Sequence, residues 1–153
     1  MDKKEAYHKL AMLCSRKEYC ISDLHKKFRF WELSSTQENE IIKQLISEKY
    51  VDEERYTEAF VKDKFRFNKW GKQKISYHLK QKQVPQECID TAIANISDED
   101  YFQTIEQLLQ SKNKNVKAKD LYDRRAKLFR FMAQRGFGLD AVNMKLDDLL
   151  SED

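Results

Sequence analysis

Glycine and proline are nearly missing from this chain, with 3 and 1 among 153 residues. Hairpin-rich sheets and Gly-rich phosphate loops depend on such residues, so strand-dominated architectures and nucleotide cradles are excluded. Cysteine is also scarce: Cys14, Cys20 and Cys88 are odd in number and unpatterned. A disulfide framework is thereby excluded, and reduced thiols in a cytosol fit. His8, His25 and His78 stand in no recognised ligand spacing with them, and Cys20 with His25 offers at most two zinc ligands without a CxxC or HxxxH pair. No apolar run approaches the roughly 20 residues that span a bilayer, and Met1-Asp2-Lys3-Lys4-Glu5 leads into an amphipathic stretch without a signal-like apolar core. A soluble, cytoplasmic protein is expected. Catalytic constellations are missing as well, so the expectation is a non-enzyme with no cofactor and no metal.

What remains is 41% hydrophobic and 36% charged, rich in Lys, Glu, Gln, Leu and Ala, the composition of an all-α protein. The stretch from Trp70 to Ile96 reads as two short amphipathic helices joined by a tight turn at Gln83-Val84. Ile75 and Leu79 share one helical face, and Ile89, Ala92, Ile93 and Ile96 follow the spacing of a buried stripe. Gly71 suits an N-cap and Pro85 the first position of a helix. The pattern recurs upstream in Leu24, Phe28, then Ile42, Leu45 and Ile46, and downstream in Leu128, Met132, then Phe137-Gly138, Val142 and Leu146. Another amphipathic helix precedes each copy: Ala6, Leu10, Leu13 and Cys14; Tyr56, Phe60 and Phe67; Tyr101, Ile105, Leu108 and Leu109. The reading is three tandem three-helix, helix-turn-helix-like repeats over 1–50, 51–97 and 98–153, in an elongated, curved array. Coincidence among amphipathic helices is the competing reading.

In order, the first helix is expected over Lys4 to Lys17 and the second over Ile21 to Trp31 with Ser22 as cap. The third opens with a capping box from Ser35 to Glu38. Asp52 takes an N-cap position, with Glu53 and Glu54 in the first turn, where unpaired N–H groups favour carboxylates. The helix from Glu53 to Asn68 has two apolar faces, Tyr56, Phe60 and Phe67 on one and Val61 and Phe65 nearly opposite. The second face either packs on a neighbouring unit or docks a partner. Ser97 to Asp100 caps the next helix; Ser111 to Lys117 is a polar joint; helices follow over Lys119 to Gln134 and Leu139 to Leu150, with Gly136 as C′ residue between them.

From Lys62 to Lys82 eight basic residues face one acid, Asp63, with Phe65, Phe67, Trp70 and Tyr77 interleaved; from Lys112 to Arg130 another eight face Asp120 and Asp123. Nucleic-acid contact and a solvated helix face both remain open readings, as do core and base-stacking roles for the aromatics. Candidate contacts to a partner or to DNA are Lys62, Arg66, Lys69, Lys72, Lys74, Arg124, Arg125 and Arg130. Helix-turn-helix readers insert the second helix of the pair into the major groove. Here those helices carry Glu38, Glu40 and Glu48, then Glu87 and Asp90, then Asp140, Asp147 and Asp148. Carboxylates would meet phosphates, so any contact should be made to the backbone, without sequence preference, from the first and second helices of the second and third repeats.

Tyr50-Val51-Asp52-Glu53-Glu54-Arg55-Tyr56, Gly71-x3-Ile75-x3-Leu79 with Lys82-Gln83-Val84, and Phe131-Met132-Ala133-Gln134-Arg135-Gly136-Phe137 resemble, in order and spacing, the motifs of the RecX family, regulators of the RecA recombinase. Asp52, Arg55, Tyr56, Gly71, Ile75, Leu79, Gly136 and Phe137 are the structural positions of those motifs. Gln83 departs from a usual glycine and Glu53 from a second aspartate. The resemblance implies a monomeric repeat protein that binds RecA and its single-stranded DNA filament, lies in the filament groove, and lowers strand exchange, ATPase and coprotease activities. A general nucleic-acid binder without a recombinase partner is the alternative.

Overall fold

The computed structural model describes residues 1–151, and all regular structure among them is helical. The helices are α1 Lys3–Arg16, α2 Ile21–Lys27 followed by a 3₁₀ turn Phe28–Phe30, α3 Ser35–Ser47, α4 Glu53–Arg66, α5 Lys72–Gln81, α6 Gln86–Ala94, α7 Asp98–Asn115, α8 Leu121–Gln134 and α9 Leu139–Leu150. None is long and apolar enough to cross a membrane. Packing divides the chain into two compact units: unit 1, Met1–Phe60 with Leu79–Ala92, and unit 2, Val61–His78 with the chain from Ile93 onward. Glu152 and Asp153, the last residues of the expected third repeat, lie outside the described residues.

In unit 1, α1 and α2 pack on α3. Ala6, Leu10, Leu24, Phe28, Ile41, Ile42, Leu45 and Val51 close the core. Asp52 caps α4 by accepting the Arg55 N–H at 3.1 Å. The Arg55 guanidinium then donates to Glu18 at 2.6 Å and to the carbonyls of Lys49 and Tyr50, at 3.2 and 3.4 Å. It thus fastens the start of α4 to the turn after α3 and to the α1–α2 loop. Lys82 pairs with Asp23 at 2.9 Å, its ammonium 5.9 Å from the Tyr56 ring centroid. Burial would raise the Asp23 carboxyl, but the Lys82 hydrogen bond and charge, with the Cys20 N–H, hold it below its ordinary range. Burial, chiefly, pushes the Tyr56 hydroxyl up to about 12.

In unit 2, α7, α8 and α9 pack on one another, with Ile105, Leu109, Leu128, Met132, Val142 and Leu146 inside. Val61 and Phe65 belong to this unit, where Phe65 stacks on Tyr101 with ring centroids 6.0 Å apart, and Tyr101 meets Phe137 at 5.3 Å. Ser97 accepts from the Asp100 N–H, and Gly136 has φ +89°, both as the sequence predicts.

Five expectations are corrected. Ser22 does not cap α2: Cys20 holds that position and donates its N–H to Asp23, while Ser22 contacts the Cys20 sulfur. The capping box of α3 runs from Ser34 to Gln37, since with two adjacent serines the pattern fits either register and the earlier one forms. Pro85 lies one residue before α6, its carbonyl accepting from Cys88 and Ile89. Residues 111–115 continue α7 rather than forming a joint, because no glycine or proline interrupts them. Phe67 is no core residue: α4 ends at Arg66, the periodicity ends with it, and the ring is 80% exposed.

Candidate nucleic-acid interface

All eight candidate contact residues belong to unit 2. Its charge is lopsided. Unit 2 holds 16 of the 29 basic side chains against 12 of the 26 acidic ones, a net +4, whereas unit 1 holds 13 against 14.

The last two turns of α4 carry Lys62 and Arg66, both exposed, and the connection Phe67 to Trp70 carries Lys69. That connection is pinned where Arg135 donates to the Asn68 carbonyl at 3.1 Å and where Lys69 adopts φ +56°. α5 presents Lys72 and Lys74, each drawn onto a ring: Lys72 lies 4.5 Å from the Tyr101 centroid and Lys74 4.6 Å from that of Trp70, which Lys64 also approaches at 5.1 Å. Each such contact contributes about 0.5–1 kcal/mol at an exposed site and fixes an otherwise mobile ammonium. His78 completes the group, 4.6 Å from Trp70. Tyr77 stays 61% exposed among these cations.

The second basic stretch behaves differently. Arg124 donates to the carbonyl and side-chain oxygens of Asn113 at 3.1 and 2.8 Å, closing the α7–α8 connection. Arg125 pairs with Asp147 at 2.8 Å and reaches Asn143, joining α8 to α9. Both are half-buried, while Arg130 is exposed. Charge on Arg124 and Arg125 is therefore engaged within the unit, and Lys62, Arg66, Lys69 and Arg130 are better placed to meet an outside phosphate.

The motif glycines shape the scaffold beneath these cations. Gly71 N–H donates to the Arg135 carbonyl at 2.7 Å, Gln73 N–H to the Gly136 carbonyl at 3.1 Å, and Lys72 N–H to the Tyr101 hydroxyl at 3.1 Å. A Cβ on Gly71 would stand 2.3 Å from the Gly136 oxygen, and one on Gly136 2.3 Å from the Lys74 Cβ. Two backbones touch, so only glycine fits. Burial raises the Tyr101 hydroxyl pKa, opposed by the backbone hydrogen bonds of Lys72 and Gly138. Ile75, Leu79 and Phe137 are core residues, as the motifs suggest.

Sequence reasoning did not single out Gln103, Thr104 and Gln107 of α7, which with Arg66, Lys69, Phe65 and Asp100 line an open groove of about 230 Å³. Their i, i+4 spacing on a polar face was the available signal. Among the described residues no group of three or more His, Cys, Asp or Glu is gathered as a metal site.

These features define a class: an all-helical repeat protein of three-helix domains, presenting cations from one unit. A family model for the second three-helix domain of RecX matches residues 52–93, and one for the third three-helix domain matches residues 98–146, together more than half of the chain. The chain is 24% identical over 134 residues to regulatory protein RecX of Leuconostoc mesenteroides, covering 88% of this chain and 50% of that one. It is 28% identical over 134 residues to regulatory protein RecX of Vibrio campbellii, covering 88% and 84%. The crystal structure of RecX from Lactobacillus salivarius superposes with a TM-score of 0.87 over 96% of both chains at 16% identity. The chain belongs to the RecX family.

Proposed function

We propose that this protein regulates the RecA recombinase: it binds RecA and RecA–single-stranded DNA filaments and lowers recombinase, ATPase and coprotease activities by occupying the filament groove or blocking extension. It acts as a cytoplasmic, non-catalytic monomer of three repeats, 1–50, 51–97 and 98–153. The observation that carries this reading is the match, in order, of two RecX three-helix domains. The net +4 of unit 2 supports it, since a regulator working on a nucleoprotein filament meets phosphate as well as protein. The test is the single-strand-dependent ATPase rate of the cognate RecA with rising amounts of this protein at fixed salt. Inhibition well below one protein per RecA is expected; an unchanged rate at stoichiometric amounts would reject the reading.

A second reading, a sequence-tolerant nucleic-acid binder without a recombinase partner, is favoured by Phe67 and Tyr77, 80% and 61% exposed beside the cations. It predicts tight binding to bare oligonucleotides and no effect on the ATPase.

A further inference from the structure

The groove between the end of α4 and α7 has two unlike walls. Arg66 and Lys69 supply positive charge on one side; Asp100, Gln103, Thr104 and Gln107 supply hydrogen-bonding groups on the other, with Phe65 as an apolar lining residue. At about 230 Å³ it is smaller than the roughly 300–1,000 Å³ of sites for drug-sized ligands, a size for one flat polar group. Asp100 argues against a bound phosphate or carboxylate at that wall, because like charges would meet. It suits a group that donates hydrogen bonds. Gln103 and Gln107, four residues apart and therefore adjacent on one helical face, each offer a donor and an acceptor. In the chain between Arg66 and Lys69, Phe67 is 80% exposed.

We propose that this groove is a base-binding subsite for single-stranded nucleic acid: one base enters against Asp100, Gln103 and Gln107, Arg66 and Lys69 hold its phosphates, and Phe67 stacks a neighbouring base. The proposal rests on the reading that the cations of unit 2 meet nucleic acid. It adds a chemical preference to what charge alone makes uniform. A carboxylate accepts from an exocyclic amino group, which cytosine and adenine carry and thymine lacks, so amino-bearing bases are favoured.

The experiment is fluorescence anisotropy of the full chain with labelled oligo-dC and oligo-dT of one length, both weakly self-stacked. Oligo-dC binds about tenfold more tightly. Asp100→Asn and the double variant Gln103→Ala/Gln107→Ala bring the two affinities together without changing the salt slope, and Phe67→Ala weakens both by about tenfold. All these positions are exposed, and circular dichroism checks that each variant is folded. Equal wild-type affinities, or a preference that survives both groove variants, overturn the subsite while leaving phosphate contact intact. Absence of binding to either strand overturns the underlying nucleic-acid reading as well. Poly-glutamate displacing oligo-dC as effectively as unlabelled oligo-dC also overturns the subsite, in favour of an acidic protein surface.

Discussion

Gln83 holds φ +62° at the end of α5, with its N–H donating to the Lys80 carbonyl and that of Val84 to the Leu79 carbonyl. Lys49 after α3 and Gly136 after α8 repeat that double bond, with φ +65° and +89°. These are three Schellman turns, of which one has the glycine that this backbone favours. The left-handed conformation strains a side-chain-bearing residue, so Gln83→Gly is expected to stabilise the fold by about 0.5–1 kcal/mol, net of the entropy that glycine adds to the unfolded chain. The thermal midpoint should rise by about 1–4 °C, and a fall would reject the assignment of strain. The departure at Glu53 also has a use: its longer side chain reaches the Ile21 N–H at 2.7 Å, the first of α2. Lys82 and Asp23, both less than a third exposed, set a pH dependence. The Asp23 pKa is depressed in the folded state, so its stabilisation is complete above the unfolded value of about 3.9 and is lost as pH falls through the folded value. Lys82→Met should therefore cost about 1–2 kcal/mol at pH 7 and distinctly less near pH 2, read from urea midpoints. A gap of the same size at both would show that the loss is packing alone.

At the scale of elements, the helices and their buried stripes were legible because apolar spacing survives in every one of them. Leu139–Leu150 stands where the pattern places it. Caps were legible to within two residues, and the misses have local causes, as with the paired serines Ser34 and Ser35. Nothing in the spacing announces that Gly71 and Gly136 touch. They fall within the two different family-model matches, and a contact between two missing side chains leaves no hydrophobic signature. The same holds for the groove, whose Gln103 and Gln107 look like any solvated helix face until Arg66 and Lys69 are set across from them. Gly71→Ala tests the backbone contact. With a Cβ 2.3 Å from the Gly136 oxygen, and backbone atoms unable to swing aside, the expected loss is about 2–4 kcal/mol, measured by chemical denaturation, with faster exchange of the Gln73 amide. An unchanged midpoint would mean that the two segments separate at little cost.

For the whole molecule the informative quantity is where charge falls rather than its net value of +3. If about four unit 2 cations meet single-stranded phosphates, log K should fall with log salt with a slope of about −3. Lys62→Glu with Arg66→Glu should flatten that slope by about 1 or more, because both side chains are exposed, while Lys26→Glu with Arg29→Glu in unit 1 should leave it alone. Equal effects from the two pairs would remove unit 2 as the contact surface.

The contact of Gly71 with Gly136 bears on how such binding is made. The carbonyls of Arg135 and Gly136 that receive the N–H groups of Gly71 and Gln73 lie just past the carboxyl end of α8, and their donors at the amino end of α5. The partial positive charge at the start of α5 therefore meets carbonyl oxygens of the segment that follows α8. A free helix amino end is a ready seat for an anion. This one is already occupied by two carbonyls and the Tyr101 hydroxyl of the same chain. If unit 2 meets nucleic acid as proposed, phosphate near α5 is held by lysine and arginine side chains, whose grip weakens steeply as ions are added, and the attachment would slide along a strand instead of locking to it.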